Sequence, residues 1–125
     1  MDIESLDHLV LTVASIEASC AFYERVLGMT PERFGDGRTA VRFAGQKINL
    51  HEAGREFEPK SRHPTPGSGD LCFIVPDLEN AIAHLDRCQV AIEQGPVPRT
   101  GARGAMTSVY FRDPDGNLVE LAEYD

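Results

Sequence analysis

This chain repeats itself, and the repeat constrains its fold more than any other feature. Residues 8–17 (HLVLTVASIE) lie over residues 70–79 (DLCFIVPDLE) at a constant offset, with identity at Leu9/Leu71, Val13/Val75 and Glu17/Glu79. Each copy of such a unit is marginal by itself, so both are expected in one two-layer domain. Both copies open with period-two alternation, which puts Leu9, Leu11 and Val13 on one face and Leu71, Phe73 and Val75 on the equivalent face. Both then change to helical spacing. Ser15 and Asp77 are short, oxygen-bearing residues that can accept the unpaired amides of a first helical turn. Ile16, Cys20, Tyr23 and Leu27 follow as one apolar stripe, and Leu78, Ala81, Ile82 and Leu85 as the other. Gly28 and then Pro31 mark the end of the first helix.

Beyond the helices the pattern returns to short strands. Strands are predicted at 29–34, 39–43 and 47–51, divided by Gly35-Asp36-Gly37 and Gly45, and again at 90–93, 106–112 and 117–122. Asp113-Pro114-Asp115-Gly116 suits a type I turn, so the last two strands should form a hairpin. Residues 54–69 contain Pro59, Pro64, Pro66 and Gly67 without apolar periodicity, and read as a loop. The expected fold class is α+β: a single domain over 1–125 made of two tandem β-α-β-β-β modules, approximately 4–53 and 70–123, forming a curved mixed sheet.

Charge narrows the partners. Twenty acidic side chains against twelve basic ones give a net charge of −8, which argues against a protein that tracks nucleic-acid phosphates. A small molecule is the expected partner. No apolar run approaches the ~20 residues that span a bilayer, and Met1-Asp2-Ile3-Glu4 lacks the basic start of a signal peptide. The expectation is a cytoplasmic protein with no membrane partner. Cys20, Cys72 and Cys88 have no metal-ligand spacing and sit within apolar patterns, so they read as small buried hydrophobes without chemistry. His63 and His84 read as solvated.

Strand alternation assigns a second face to the sheet. His8, Val10, Thr12, Arg42, Asn49 and His51 fall on it in the first module, and Asp70, Cys72, Ile74, Ser108, Tyr110 and Glu120 in the second. Titratable groups among small apolar ones fit the wall of a pocket better than a plain core or a plain solvent face. Across the repeat His8 is equivalent to Asp70, and aligning residues 48–50 (INL) with 119–121 (VEL) makes Asn49 equivalent to Glu120. Imidazole with carboxylate is a ligand set for a divalent metal such as Zn, Fe, Mn or Ni. His51, two residues beyond Asn49, offers a second imidazole. Arg99 and Arg103, in the Gly/Pro-rich PVPRTGARG, are either a clamp for an anionic substrate or arginines of a flexible surface loop. Arg42 shares the pocket face as a further substrate-binding candidate. Tyr110 is either a hydrogen-bond donor to a substrate oxygen or packing.

The opening LDHLVLTVASIEASCAFYERVLGM and the closing SVYFRDPDGNLVEL, with the two β-α-β-β-β units, resemble the vicinal oxygen chelate superfamily, which includes glyoxalase I, fosfomycin-resistance proteins, extradiol dioxygenases and bleomycin-binding proteins. KINLHEAG and the last thirty or so residues resemble glyoxalase domain-containing protein 5 and its bacterial relatives more closely. The resemblance implies one divalent metal ion (Zn, Ni, Mn or Fe(II)), with ligand positions falling on His8, Asn49, Asp70 and Glu120. Asn49 stands where glyoxalase I has a glutamate and Asp70 where most members have a histidine. With asparagine a poor ligand, the implied set becomes His8, His51 and Glu120, with Asp70 as a possible fourth, two histidines and a carboxylate around an open-sided metal. It further implies a homodimer and a metal-dependent enzyme of lyase or isomerase type, with Glu120 and Tyr110 as catalytic residues and a substrate that carries adjacent oxygens. The alternatives are an Fe(II) extradiol dioxygenase and a metal-free binding or resistance protein of the bleomycin-binding kind.

Overall fold

The computed structural model describes all of residues 1–125. The chain divides into two compact units, Met1–Pro66 and Gly67–Asp125. The first contains β1 (His8–Val13), α1 (Ile16–Leu27), β2 (Thr30–Phe34), β3 (Arg38–Phe43) and β4 (Gln46–Glu52). The second contains β5 (Asp70–Ile74), α2 (Leu78–Arg87), β6 (Gln94–Gly101), β7 (Gly104–Arg112) and β8 (Leu118–Tyr124). Each unit is therefore β-α-β-β-β, as the repeat predicts.

Each unit forms its own four-stranded mixed sheet, in the order β1-β4-β3-β2 or β5-β8-β7-β6. The first strand of the unit pairs parallel with the last, and the other pairs are antiparallel. A parallel pair needs a crossover, and the helix with two intervening strands supplies it.

The helix ends form for the reasons read from the sequence. The Ser15 side chain accepts from the Ala18 amide, and Gly28 closes α1 in the left-handed region at φ 67° while its N–H meets the Glu24 and Tyr23 carbonyls. The Asp77 side chain accepts from the Asn80 amide. Tyr23 and Val26 of α1 are buried with Val13, Val41, Ile48 and Leu50. In the second unit Leu78 and Leu85 of α2 are buried with Val109, Phe111, Val119 and Leu121. Each such side chain contributes about 1.5–3 kcal/mol by leaving water, and this burial fixes which strand face points away from the helix.

The second unit differs from the sequence reading at one place. Residues 90–93 form no strand, and the Gly/Pro-rich stretch that the sequence assigns to no strand is strand β6, hairpinned to β7. Pro96 and Pro98 are tolerated because β6 borders the sheet and needs donors on one side only. The register shifts between Gln94 and Val97, and Gly95 sits there at φ 108°. A Cβ on Gly95 would collide with the Ser108 carbonyl oxygen, so only glycine lets the two strands approach.

The turn at 113–116 forms as expected, with the Gly116 amide donating to the Asp113 carbonyl at 3.0 Å. Asp113 Oδ1 also accepts from the amides of Asp115 and Asn117, and Asp113 Oδ2 accepts from Asn117 Nδ2 at 2.8 Å. Asn117 Oδ1 in turn accepts from the Gly69 amide at 2.7 Å. This buried pair ties the entry of β5 to the start of β8, which holds Asp70 beside the strand that carries Glu120.

Candidate functional site

The observed register puts every side chain assigned to the second face where strand alternation requires. In the first sheet Val10 lies opposite Asn49 and Thr12 opposite His51. In the second, Cys72 lies opposite Glu120, and Glu120 opposite Tyr110.

The second sheet carries a connected set. Arg99 Nε donates to the Tyr110 hydroxyl at 2.9 Å, and that hydroxyl donates to Glu120 Oε1 at 3.0 Å. The Arg99 guanidinium also lies 5.4 Å from the Tyr110 ring centroid. Loss of solvation raises the Tyr110 phenol above its ordinary value; the Arg99 contact opposes that shift and Glu120 adds to it, so the phenol is protonated at neutral pH. The Cys72 thiol, pushed up to about 11, loses solvation first and then feels the Glu120 carboxylate, to which it also hydrogen-bonds. Cys72 is exposed rather than buried, and Cys20 and Cys88 are half-buried, which corrects their reading as core residues. The alternation rule itself placed Cys72 on this face, and its apolar neighbours obscured that signal. His84, read as solvated, is half-buried with Nε2 3.5 Å from Cys88 Sγ.

The arginines separate. Arg99 belongs to strand β6 and to the Tyr110–Glu120 chain, whereas Arg103 lies in the β6–β7 turn with its guanidinium 4.5 Å from the Tyr124 ring centroid. Arg42, in the first sheet, pairs its Nε with Glu32 Oε2, so its charge is already engaged.

In the first sheet, His8 is exposed and its Nδ1 lies 2.7 Å from Asp7 Oδ2. Asn49 is buried, and its Oδ1 has no hydrogen-bond partner. His51 is also buried, at 6% exposure. The structure does not bring His51 to His8. His8 lies opposite Lys47 and His51 opposite Thr12, four residues further along the strand pair, which is about 13 Å at ~3.3 Å per residue.

Nowhere do three or more His, Cys, Asp or Glu side chains converge closely enough to hold a metal ion. The donor chemistry that a divalent ion takes is nevertheless present. Asp70 and Glu120 are carboxylates offset by two residues on adjacent parallel strands. His8 offers an imidazole, and the orphaned Asn49 Oδ1 is a buried oxygen acceptor.

A model of the Glyoxalase/Bleomycin resistance protein/Dioxygenase superfamily matches residues 5–121. The chain is 49% identical to Virulence protein STM3117 of Salmonella typhimurium over 99% of its own length and 87% of that protein. It is 50% identical to Glyoxalase domain-containing protein RDO1 of Mycosarcoma maydis, over 99% of this chain and 70% of that one. An integron cassette protein from the mobile metagenome of V. cholerae superposes with a TM-score of 0.97 at 56% identity, covering 100% of this chain and 98% of that chain. More distant relatives have names that differ in chemistry: a biphenyl-2,3-diol 1,2-dioxygenase of Rhodococcus globerulus at 29% identity (91% of this chain, 60% of that one) and a lactoylglutathione lyase of Pseudomonas aeruginosa at 27% (94% and 81%). The Streptomyces antibiotic-binding protein TnmS3, at 23% identity and a TM-score of 0.78 over 100% and 99% of the two chains, shares the fold. None of the helices is long and apolar enough to cross a membrane.

Proposed function

Because the chain belongs to the Glyoxalase/Bleomycin resistance protein/Dioxygenase superfamily, we propose that it is a cytoplasmic, metal-dependent enzyme of lyase or isomerase type, of the branch that holds glyoxalase domain-containing protein 5. Its substrate is a small molecule with adjacent oxygens. The observation that carries this reading is the hydrogen-bonded chain from Arg99 through Tyr110 to Glu120 on the open face of the second sheet. A carboxylate fixed by a phenol, which is itself fixed by a guanidinium, is an aimed proton acceptor. Glu120 takes the proton from the substrate. Tyr110 holds Glu120 in position, and its protonated hydroxyl can turn to a substrate oxygen that gains charge. Arg99 keeps the phenol oriented and, with Arg103, draws in an anionic substrate.

The donors proposed for a metal in the second unit are Asp70 and Glu120, and a bound divalent ion would act there as a Lewis acid toward the two substrate oxygens. The test is calorimetric titration of chelator-treated protein with Zn, Ni and Mn. One ion per chain is expected for the native sequence and no binding for Glu120→Ala. Unchanged affinity in that variant would overturn the metal reading.

The second reading is a metal-free binding protein. It is favoured by Asn49, which supplies an amide where the second sheet has the Glu120 carboxylate, and it predicts no stoichiometric metal uptake in the same titration.

A further inference from the structure

The end of α2 brings a nucleophile to a base, away from the strand face that carries Glu120. His84 and Cys88 stand four residues apart, so one helical turn sets them side by side. His84 Nε2 lies 3.5 Å from Cys88 Sγ, within hydrogen-bond reach of a sulfur atom. Both side chains are half-buried, held by the protein on one side and open to solvent on the other.

The helix end is closed in a way that keeps this pair together. The Cys88 amide donates to the His84 carbonyl at 3.0 Å, so the turn that spaces the two side chains is complete. Gln89 then takes the left-handed region at φ 60°, its amide donates to the Asp86 carbonyl, and the Val90 amide donates back to the Leu85 carbonyl at 3.0 Å. Those two bonds satisfy the last carbonyls of the helix, and they form here without the usual glycine. Leu85, at 1% exposure, anchors the same turn in the core of the second unit.

A thiol attacks as its thiolate, and an imidazole in contact with it can take the proton near neutral pH. We propose that Cys88 is a site of reversible thiolation by small disulfides, with His84 as its base. The Cys88 proton passes to His84 Nε2, and Cys88 Sγ attacks one sulfur of the disulfide. The bond between the two disulfide sulfurs breaks as the new one forms. The departing thiolate takes the proton back from the imidazolium and leaves as a thiol. Cys88 is oxidised, half of the disulfide is reduced, and excess thiol reverses the exchange.

The other two thiols have different surroundings, which makes the site selective. Lost solvation, and then the charge of Glu120 and the hydrogen bond to it, raise Cys72 to about 11. Burial and then the Glu24 charge raise Cys20, with Arg33 partly opposing. No imidazole is among the groups that act on either of them.

The test uses the reduced native chain and hydroxyethyl disulfide, a neutral probe, at neutral pH. Neither metal nor turnover enters, so this proposal and the reading at Glu120 can fail separately. Samples quenched in acid are mapped by peptide mass, which follows the adduct on Cys20, Cys72 and Cys88 in one tube. Cys88 is expected to gain the adduct at least tenfold faster than either of the others. It should also gain it at least threefold faster than in the urea-unfolded chain, where no imidazole is held beside it. His84→Gln should slow Cys88 at least fivefold and leave the Cys20 and Cys72 rates unchanged, which also shows that the variant folds. If that variant does not fold, the comparison of folded with unfolded native chain still decides. The proposal is overturned if Cys20 or Cys72 reacts fastest, if folding fails to speed Cys88, or if folded His84→Gln exchanges at the native rate.

Discussion

Alkylation of Cys72 measures the electrostatics around Glu120. The thiol is raised from its ordinary 9.0 to about 11, first by lost solvation, then by the charge of Glu120 and the hydrogen bond to it, and last by Asp70. At pH 8 a thiol of pKa 9 is about one part in ten thiolate, and one of pKa 11 about one part in a thousand. The scarcer thiolate is the better nucleophile, and a Brønsted slope of about 0.4–0.5 returns close to tenfold of that hundredfold loss. Cys72 in the folded protein should therefore react with iodoacetamide about tenfold more slowly than in the urea-unfolded chain, although it is exposed. Peptide mass mapping against time gives both rates. A pH series separates charge from access: the folded rate should keep climbing above pH 9, where the unfolded rate levels off. Glu120→Gln removes the second and third causes and should speed the folded reaction several-fold at pH 8. Folded and unfolded rates that agree, with a shared plateau near pH 9, would refute the argument.

Other expectations concern stability and assembly. Asn117→Ala removes the partner of the part-buried Gly69 amide and the amide bond to Asp113 Oδ2, and at ~1–3 kcal/mol for each lost bond should cost about 2–6 kcal/mol in urea unfolding; a loss below about 1 kcal/mol would contradict the role given to this pair. Ser15→Ala removes the side chain that accepts from the Ala18 amide at 3.1 Å and should cost about 1 kcal/mol, seen as a lower Tm. Light scattering at micromolar concentration should give a homodimer, twice the 13.7 kDa of the chain, and a monomer mass would reject that expectation.

Much of this molecule is legible in the sequence because its local signals agree. Ser15, Gly28 and Asp77 name their own roles, and the 113–116 turn has residues suited to a type I turn. Period-two alternation by itself sorts Tyr110, Glu120 and Cys72 onto one face. Strand β6 was illegible because Gly95, Pro96 and Pro98 suppress the apolar alternation, and only pairing with β7 makes those residues a strand. The distance from His8 to His51 was illegible for another reason. Alternation tells which face a side chain takes, but the level it occupies along the sheet is set by register, and register depends on partners far away in sequence.

The prolines have a consequence at the sheet borders. The first sheet runs from a proline-free border, β1, to one that contains Pro31, and the second runs from β5 to a border that contains Pro96 and Pro98. Proline has no amide hydrogen, so a further strand meets gaps in the donor row along β2 and β6. No such gap interrupts β1 or β5, which also expose Val10 and Ile74 at 42% and 50%. Each sheet thus has a receptive side and a sealed side. A further strand can therefore join each sheet at one border only, and neither sheet can grow in both directions.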